Sequence, residues 1–230
     1  MRQETDLIAV AERPSSSAPT APGGRTLAES AYMRLRDDII TVKLQPGDPL
    51  DEKQLSRDLD VGLTPVRDAL KRLRHERLAV IYPRRGTFVA EINISDERWL
   101  TEVRTDLEGL AAALAAERAT DEECAELKRM AEAMEDAVEV SRDYIAQDTE
   151  IHRAIYRAAH NPYLEATLTQ YSNLAMRIWH YGVARARPHT PRSCAQDDVV
   201  EAICARQPGA ARKAAQAHLL GFSASVRSML

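Results

Sequence analysis

Apolar residues Leu27, Ala31, Leu35, Ile39 and Ile40 recur about once per helical turn, laying one stripe on a helix that opens after Thr26 as N-cap. The run Pro46-Gly47-Asp48-Pro49 breaks that stripe. A short second helix is predicted over 51–59 (DEKQLSRDL), then a turn (DVGL), then a third helix from Thr64-Pro65. Pro65 suits the first helical turn, where its missing N–H costs nothing. Val66, Leu70 and Leu73 face inward on that helix and its basic residues face outward. Two β-prone pieces, LAVIY and GTFVAEI, are joined by Pro83-Arg84-Arg85-Gly86 and predict a hairpin.

From Ser95 onward the pattern is helical, without evident strands. Helices are predicted near 95–118, 120–140, 141–160, 163–185, 195–206 and 208–229. Thr120 with Glu123 three residues on makes a capping box. Asn161-Pro162 ends one helix, Pro208 opens the last, and 184–193 is the least regular stretch. The fold class is therefore mainly α: an N-terminal winged helix-turn-helix of three helices plus a β-hairpin wing, then a C-terminal antiparallel all-helical bundle. The divisions expected are a disordered tail (1–25), a winged helix-turn-helix (26–92) and an all-helical domain (93–230). The connector Asn93-Ile94 is very short, so the two domains are expected to be mechanically coupled.

Composition adds three points. The 230 residues suffice for two modest domains, with 44% hydrophobic and 29% charged residues, as in ordinary globular proteins. No apolar run is long enough to span a membrane, and the first 25 residues, rich in Pro, Ser and Ala, lack the apolar stretch of a secretory signal. Cys124, Cys194 and Cys204 show no metal-finger or redox spacing, which fits a reduced cytoplasm.

Net charge is −4, yet it is unevenly spread. Between Leu63 and Ala90, seven basic residues (Arg67, Lys71, Arg72, Arg74, Arg77, Arg84, Arg85) stand against Asp68 and Glu76. A local basic patch on an acidic chain is the footprint of a surface facing nucleic acid, although a solvated helix face would read the same on charge alone. The helix order sharpens the choice. Arg67 faces outward one turn into the third helix and can read guanine through O6 and N7. Thr64 near the helix start can bond a phosphate or base edge, and Arg84 and Arg85 at the wing tip can enter a minor groove or bind backbone.

The stretch LQPGDPLDEKQLSRDLDVGLTPVRDALKRLRHERLAVIYPRRGTFV resembles the N-terminal domain of GntR-type bacterial regulators, with PG..L.E..L, TPVR.AL..L and RRGTFV at that family's spacing. The resemblance covers about 27–92 and implies that Lys53, Arg67 and the Arg85-Gly86 wing tip contact double-stranded operator DNA. It departs from the family pattern at Gly62 and Leu63, where most members carry Ser-Arg, and Lys53 stands where Arg is commoner. Leu63 cannot make a polar base contact, which shifts recognition onto Arg67, Lys53 and the wing.

In the helical half, Asp148 and His152 lie four apart in QDTEIHRAIYRAAH and share a helix face. Such a pair can ligate a divalent metal, though more often it is a surface polar contact. His218, among Ala217, Leu219 and Leu220, reads by itself as a core histidine. The segments LTEVRTDLEGLAAALAA, D…H followed by RAAHNPYL, and the terminal A..AHL resemble the effector domain of the FadR subgroup, called FCD, over about 95–229. That resemblance implies a homodimer, a small carboxylate effector, and a zinc, nickel or manganese-type metal held by one Asp and three His. Asp148, His152 and His218 match three ligands, and Gln196 stands at the position expected for the remaining His. A neutral amide oxygen replaces imidazole poorly. Three readings stay open: a three-ligand site completed by water, recruitment of His189 or Asp197, or no metal.

Arg104 matches an arginine near the family's pocket and can pair with an effector carboxylate, or instead with Glu108 at i,i+4. Arg177, with Trp179 and Tyr181 on a later helix, is a second candidate for the pocket, although core packing explains the two aromatics equally well. No organic cofactor is expected. A metal enzyme built on Asp148, His152 and His218 lacks a distinct set of catalytic groups, and neither it nor a helical scaffold explains the basic wing.

Overall fold

The computed structural model describes residues 25–135, 142–183 and 196–229, so the expected N-terminal tail lies almost wholly outside the described residues. Helix α1 (Leu27–Ile40) starts where Thr26 Oγ1 accepts the Glu29 N–H at 3.1 Å. Asp51 caps α2 (Glu52–Asp58) in the same way through the Gln54 N–H at 2.7 Å. Helix α3 runs Leu63–His75, one residue earlier than the sequence predicts, because Gly62 takes the N-cap conformation. Gly62 supplies no side-chain bond, so the first N–H groups of α3 are not capped by that residue.

Strands β1 (Ala79–Tyr82) and β2 (Gly86–Val89) pair antiparallel, with Ala79 opposite Val89 and Tyr82 opposite Gly86. The Pro46–Pro49 segment does more than break a helix. Gly47 donates to Val89 O at 3.0 Å, Val89 to Asp48 O at 2.9 Å and Leu50 to Thr87 O at 2.8 Å, so it lies along β2 as a minimal third strand. Tyr32, Leu35, Ile39, Val66, Leu70, Leu73 and Leu78 fill the core beneath. Leu73 and Ile39 are fully buried.

The second half consists of α4 (Asp96–Arg118), α5 (Asp121–Glu135), α6 (Arg142–Ala158), α7 (Pro162–Val183), α8 (Asp197–Cys204) and α9 (Pro208–Met229). Thr120 and Glu123 form the expected reciprocal box at the start of α5, at 2.8 and 3.2 Å. Residues 136–141 and 184–195, which include the ends of several predicted helices, lie outside the described residues. Asn161 caps α7 through the Leu164 N–H at 3.2 Å, after His160 ends the preceding helix at φ +48°.

Alanines 111, 112, 113, 115 and 116 are buried on α4, and their small side chains let α9 lie close along it. At Gly109 an added Cβ would meet Gln216 Cγ at 3.0 Å and Arg212 Cγ at 3.2 Å. Helix α7 joins the two halves. Leu174 packs under the winged core, and Met176, Ile178 and Trp179 gather around Ile40 of α1. Trp179 stacks on Phe222 of α9 with ring centroids 6.0 Å apart.

Candidate nucleic-acid interface and sensing centre

Lys53 on α2 and Thr64 and Arg67 on α3 all lie exposed. Arg67 Nε donates to Glu52 Oε2 at 2.7 Å, a pairing not anticipated from the sequence. The partner is itself an exposed α2 side chain, so the guanidinium is oriented but remains open to solvent. Arg72 leaves the free basic patch altogether. It lies 3.5 Å from the Tyr32 ring centroid and bridges to Glu29 at 2.8 Å and Glu76 at 3.1 Å.

At the wing tip the Arg85 N–H closes a turn onto Tyr82 O at 3.0 Å, with Pro83 at its first inner position. Arg84 at the second takes φ +65°, a region usually left to glycine or asparagine. Gly86 follows at φ +102°, with open space where a Cβ would stand. Arg85 leans over Tyr82 and Phe88, 5.6 and 5.7 Å from their centroids. The wing thus presents two cations on a backbone bent to expose them.

In the helical half the fold brings Asp148 and His152 of α6 together with His218 of α9 and Gln196 at the N-cap of α8. All four are buried. One donor atom each from Asp148, His152 and His218 lies within 4.8 Å of the others. His152 Nε2 is 3.2 Å from His218 Nε2 and 3.5 Å from Asp148 Oδ2; His218 Nε2 is 3.7 Å from Asp148 Oδ1. Gln196 Nε2 donates to Asp148 Oδ1 at 2.9 Å, so the residue at the anomalous fourth position does join the cluster. Asp197 is not among these donors, and His189 lies outside the described residues.

Sequence reasoning missed Glu108. This α4 carboxylate is 3% exposed and stands 2.9 Å from His152 Nδ1, while Arg104 Nε donates to its other oxygen at 2.8 Å. Burial alone would raise Glu108, but the charges of Arg104 and His152 hold it well below the usual carboxylate range. For His152 burial opposes protonation, and Glu108 and Asp148 outweigh it, pushing the imidazole up to about 10. Burial lowers His218. A carboxylate on Nδ1 fixes a metal-binding histidine's orientation and frees Nε2 for the ion. Two imidazoles and a carboxylate converging on one point, with this outer support, fit a divalent transition metal.

Arg104 makes the i,i+4 ion pair with Glu108 rather than standing unpaired. Its Nη2 approaches the same carboxylate oxygen at 2.5 Å but makes no hydrogen bond of good geometry. His218 Nδ1 is likewise buried without a hydrogen-bond partner among the described residues, while the buried Tyr156 hydroxyl faces Glu108 and Arg104. Arg177 goes elsewhere. It sits on α7 at the junction of the two halves, donating Nη2 to Ala90 O, and does not join the Asp148 cluster.

A winged helix-turn-helix with an exposed third helix and a cationic tip, followed by a helical bundle with a buried polar centre, is the architecture of a DNA-binding regulator with a separate effector domain. The comparisons agree. The FCD domain profile matches residues 99–221, and the profile of bacterial regulatory proteins of the gntR family matches 27–89. The chain is 27% identical over 213 residues to the HTH-type transcriptional repressor RspR of Escherichia coli K12, covering 92% of each. It is 30% identical to the Nta operon transcriptional regulator of Aminobacter aminovorans over 134 residues, 58% of this chain and 64% of that one. E. coli McbR/YncC shares the fold at a TM-score of 0.76 with 24% identity, over 88% of this chain and 98% of that one. The chain belongs to the GntR family of transcriptional regulators, in its FCD branch, and is not an enzyme.

Proposed function

We propose that a small carboxylate, bound inside the helical domain beside a divalent metal, sets the affinity of this regulator for a palindromic operator. The observation that carries this reading is the buried chain Arg104–Glu108–His152–Asp148/His218. It ends at one side in three metal-type donors and at the other in a buried guanidinium paired with Glu108. Asp148, His152 and His218 would hold a zinc, nickel or manganese-type ion. Gln196 offers its carbonyl oxygen only if its amide turns over, since its nitrogen now faces Asp148. When bound, the metal supplies a cationic ligand site for one carboxylate oxygen. Arg104 and Tyr156 orient the remainder by hydrogen bonds that are stronger for an anion in a dry site.

On the DNA side, Arg67 reads a base edge, Lys53 and Thr64 hold phosphate, and Arg84, Arg85 and Gly86 place the wing. Two copies are required for a palindromic site. The α4–α7–α9 packing against α1 gives the ligand a route to the winged domain, because any shift of α7 moves Leu174 and Ile178 beneath it.

Metal content of purified protein, with thermal melting against a carboxylate panel with and without added ion, tests this. Stoichiometric uptake and a concentration-dependent rise in melting temperature that requires both components support the reading. No uptake by wild type, or uptake unchanged by His152→Ala and His218→Ala, overturns it.

A further inference from the structure

The junction between the two halves contains a cavity of about 310 Å³, separate from the Asp148 cluster. One wall is Arg77 and Glu91 of the winged domain, and the other is Asp96 and Trp99 of α4 with Tyr171 and Arg177 of α7. Arg177 is 2% exposed yet has no ion pair among the described residues. Its Nη2 goes to the Ala90 carbonyl and its Nε has no hydrogen-bond partner among the described residues. Burial lowers the guanidinium to about 10, against the opposing pull of Glu91, so its charge is incompletely compensated. A buried cation in this condition is stabilised by an anion that reaches it.

The remaining lining narrows the ligand. Trp99 is 59% exposed, an indole face of the kind that covers a ligand's apolar part. Glu91 and Asp96 put two carboxylates on the same cavity, which disfavours a simple anion and suits a ligand that also carries a cation. The volume lies at the small end of ligand pockets. We infer that the junction cavity binds a small zwitterion of the α-amino-acid type with an apolar side chain: carboxylate on Arg177, ammonium toward Glu91 and Asp96, side chain against Trp99 and Tyr171. Bound there, it ties α7 and α4 to the winged domain at Arg77 and Glu91 and holds the two halves in the arrangement described. This site does not depend on the metal centre.

The chain has two tryptophans, so the Trp179→Phe variant of the full-length protein reports on Trp99 alone. Titration with leucine, phenylalanine and methionine, their des-amino acids and their decarboxylated amines is expected to give a saturable Trp99 emission change for the amino acids. The des-amino acids and amines are expected to bind at least about tenfold more weakly. Arg177→Gln is expected to weaken amino-acid binding by a similar factor. Should that variant not fold, Glu91→Gln/Asp96→Asn tests the same site through loss of preference for the amino group. Added zinc, or a chelator, is expected to leave the titration unchanged, which separates this site from the metal-centred one. No response from any amino acid up to about 10 mM, where affinity is already negligible, overturns the inference, as does equal binding of the des-amino acids.

Discussion

Arg67 shows how a single residue carries both structure and recognition. Its ion pair with Glu52 joins two exposed side chains, and such pairs contribute only about 0–1 kcal/mol to stability. Arg67→Ala is therefore expected to leave the melting temperature nearly unchanged. If the side chain reads guanine as proposed, the same substitution weakens operator binding by about 1–3 kcal/mol and relaxes preference at one base position. Anisotropy titrations on operator variants measure both effects. His152 behaves oppositely. It sits between Glu108 and Asp148, and His152→Ala removes the imidazole that joins them, leaving Glu108 to Arg104 and Asp148 to the Gln196 amide. Losing one partner from such an arrangement costs about 3–5 kcal/mol, visible as a lower denaturation midpoint even without metal. His152→Gln, which keeps a polar group there, is expected to retain more stability than His152→Ala while still losing metal uptake.

Elements were legible where the determinants are local. Thr26, the Thr120/Glu123 box, Pro208 and the i,i+4 placement of Asp148 and His152 all act within about one turn of chain, and the structure shows each as expected. Tertiary partnerships were not. Glu108 looked like an Arg104 partner only, since nothing near it in sequence points to His152 on another helix. A signal did exist: LEGLAAALAA places an acid on the stripe of small residues that α4 buries, where an unpaired carboxylate would be untenable. Arg72 belongs to the basic patch by charge count, and Arg177 stands as a pocket candidate by its place on a later helix, while the fold puts Arg72 in the Tyr32–Glu76 contact and Arg177 at the junction.

That contact has a measurable consequence at the level of the α1–α3 pair. Tyr32 donates to Glu76 at 2.8 Å, and burial, followed by the Glu76 charge, pushes its hydroxyl up to about 12. Because the folded value exceeds the ordinary 10.0, this stabilisation is complete below that value and is lost as pH rises toward 12. Tyr32→Phe is expected to flatten the alkaline fall in stability across that window, as followed by denaturant melts. The wing offers a further check. Gly86 holds φ +102°, so Gly86→Val strains the tip and is expected to reduce operator binding without unfolding the helical core, which circular dichroism monitors.

At the scale of the whole molecule, what matters is that α7 belongs to two cores at once. Leu174 lies under the winged domain and Trp179 lies on α9, which also carries His218. A ligand that repositions α6 or α9 therefore acts on the same helix that supports α1. The direction of that action decides whether the effector releases or recruits DNA, and either direction satisfies linkage provided the two states bind the ligand with different affinity. Among the described residues no helix is long and apolar enough to cross a membrane.

The most direct test is an anisotropy titration of promoter DNA flanking the regulator's own gene, with wild type and Arg104→Gln, each with and without metal and the carboxylate that best raises the melting temperature. The wild-type Kd is expected to change by about fivefold or more when both are added, in the range of ordinary allosteric couplings. Arg104→Gln is predicted to bind the same DNA but respond weakly or not at all. An operator affinity that is identical with and without ligand, or a response that survives in Arg104→Gln unchanged, would contradict the proposed coupling.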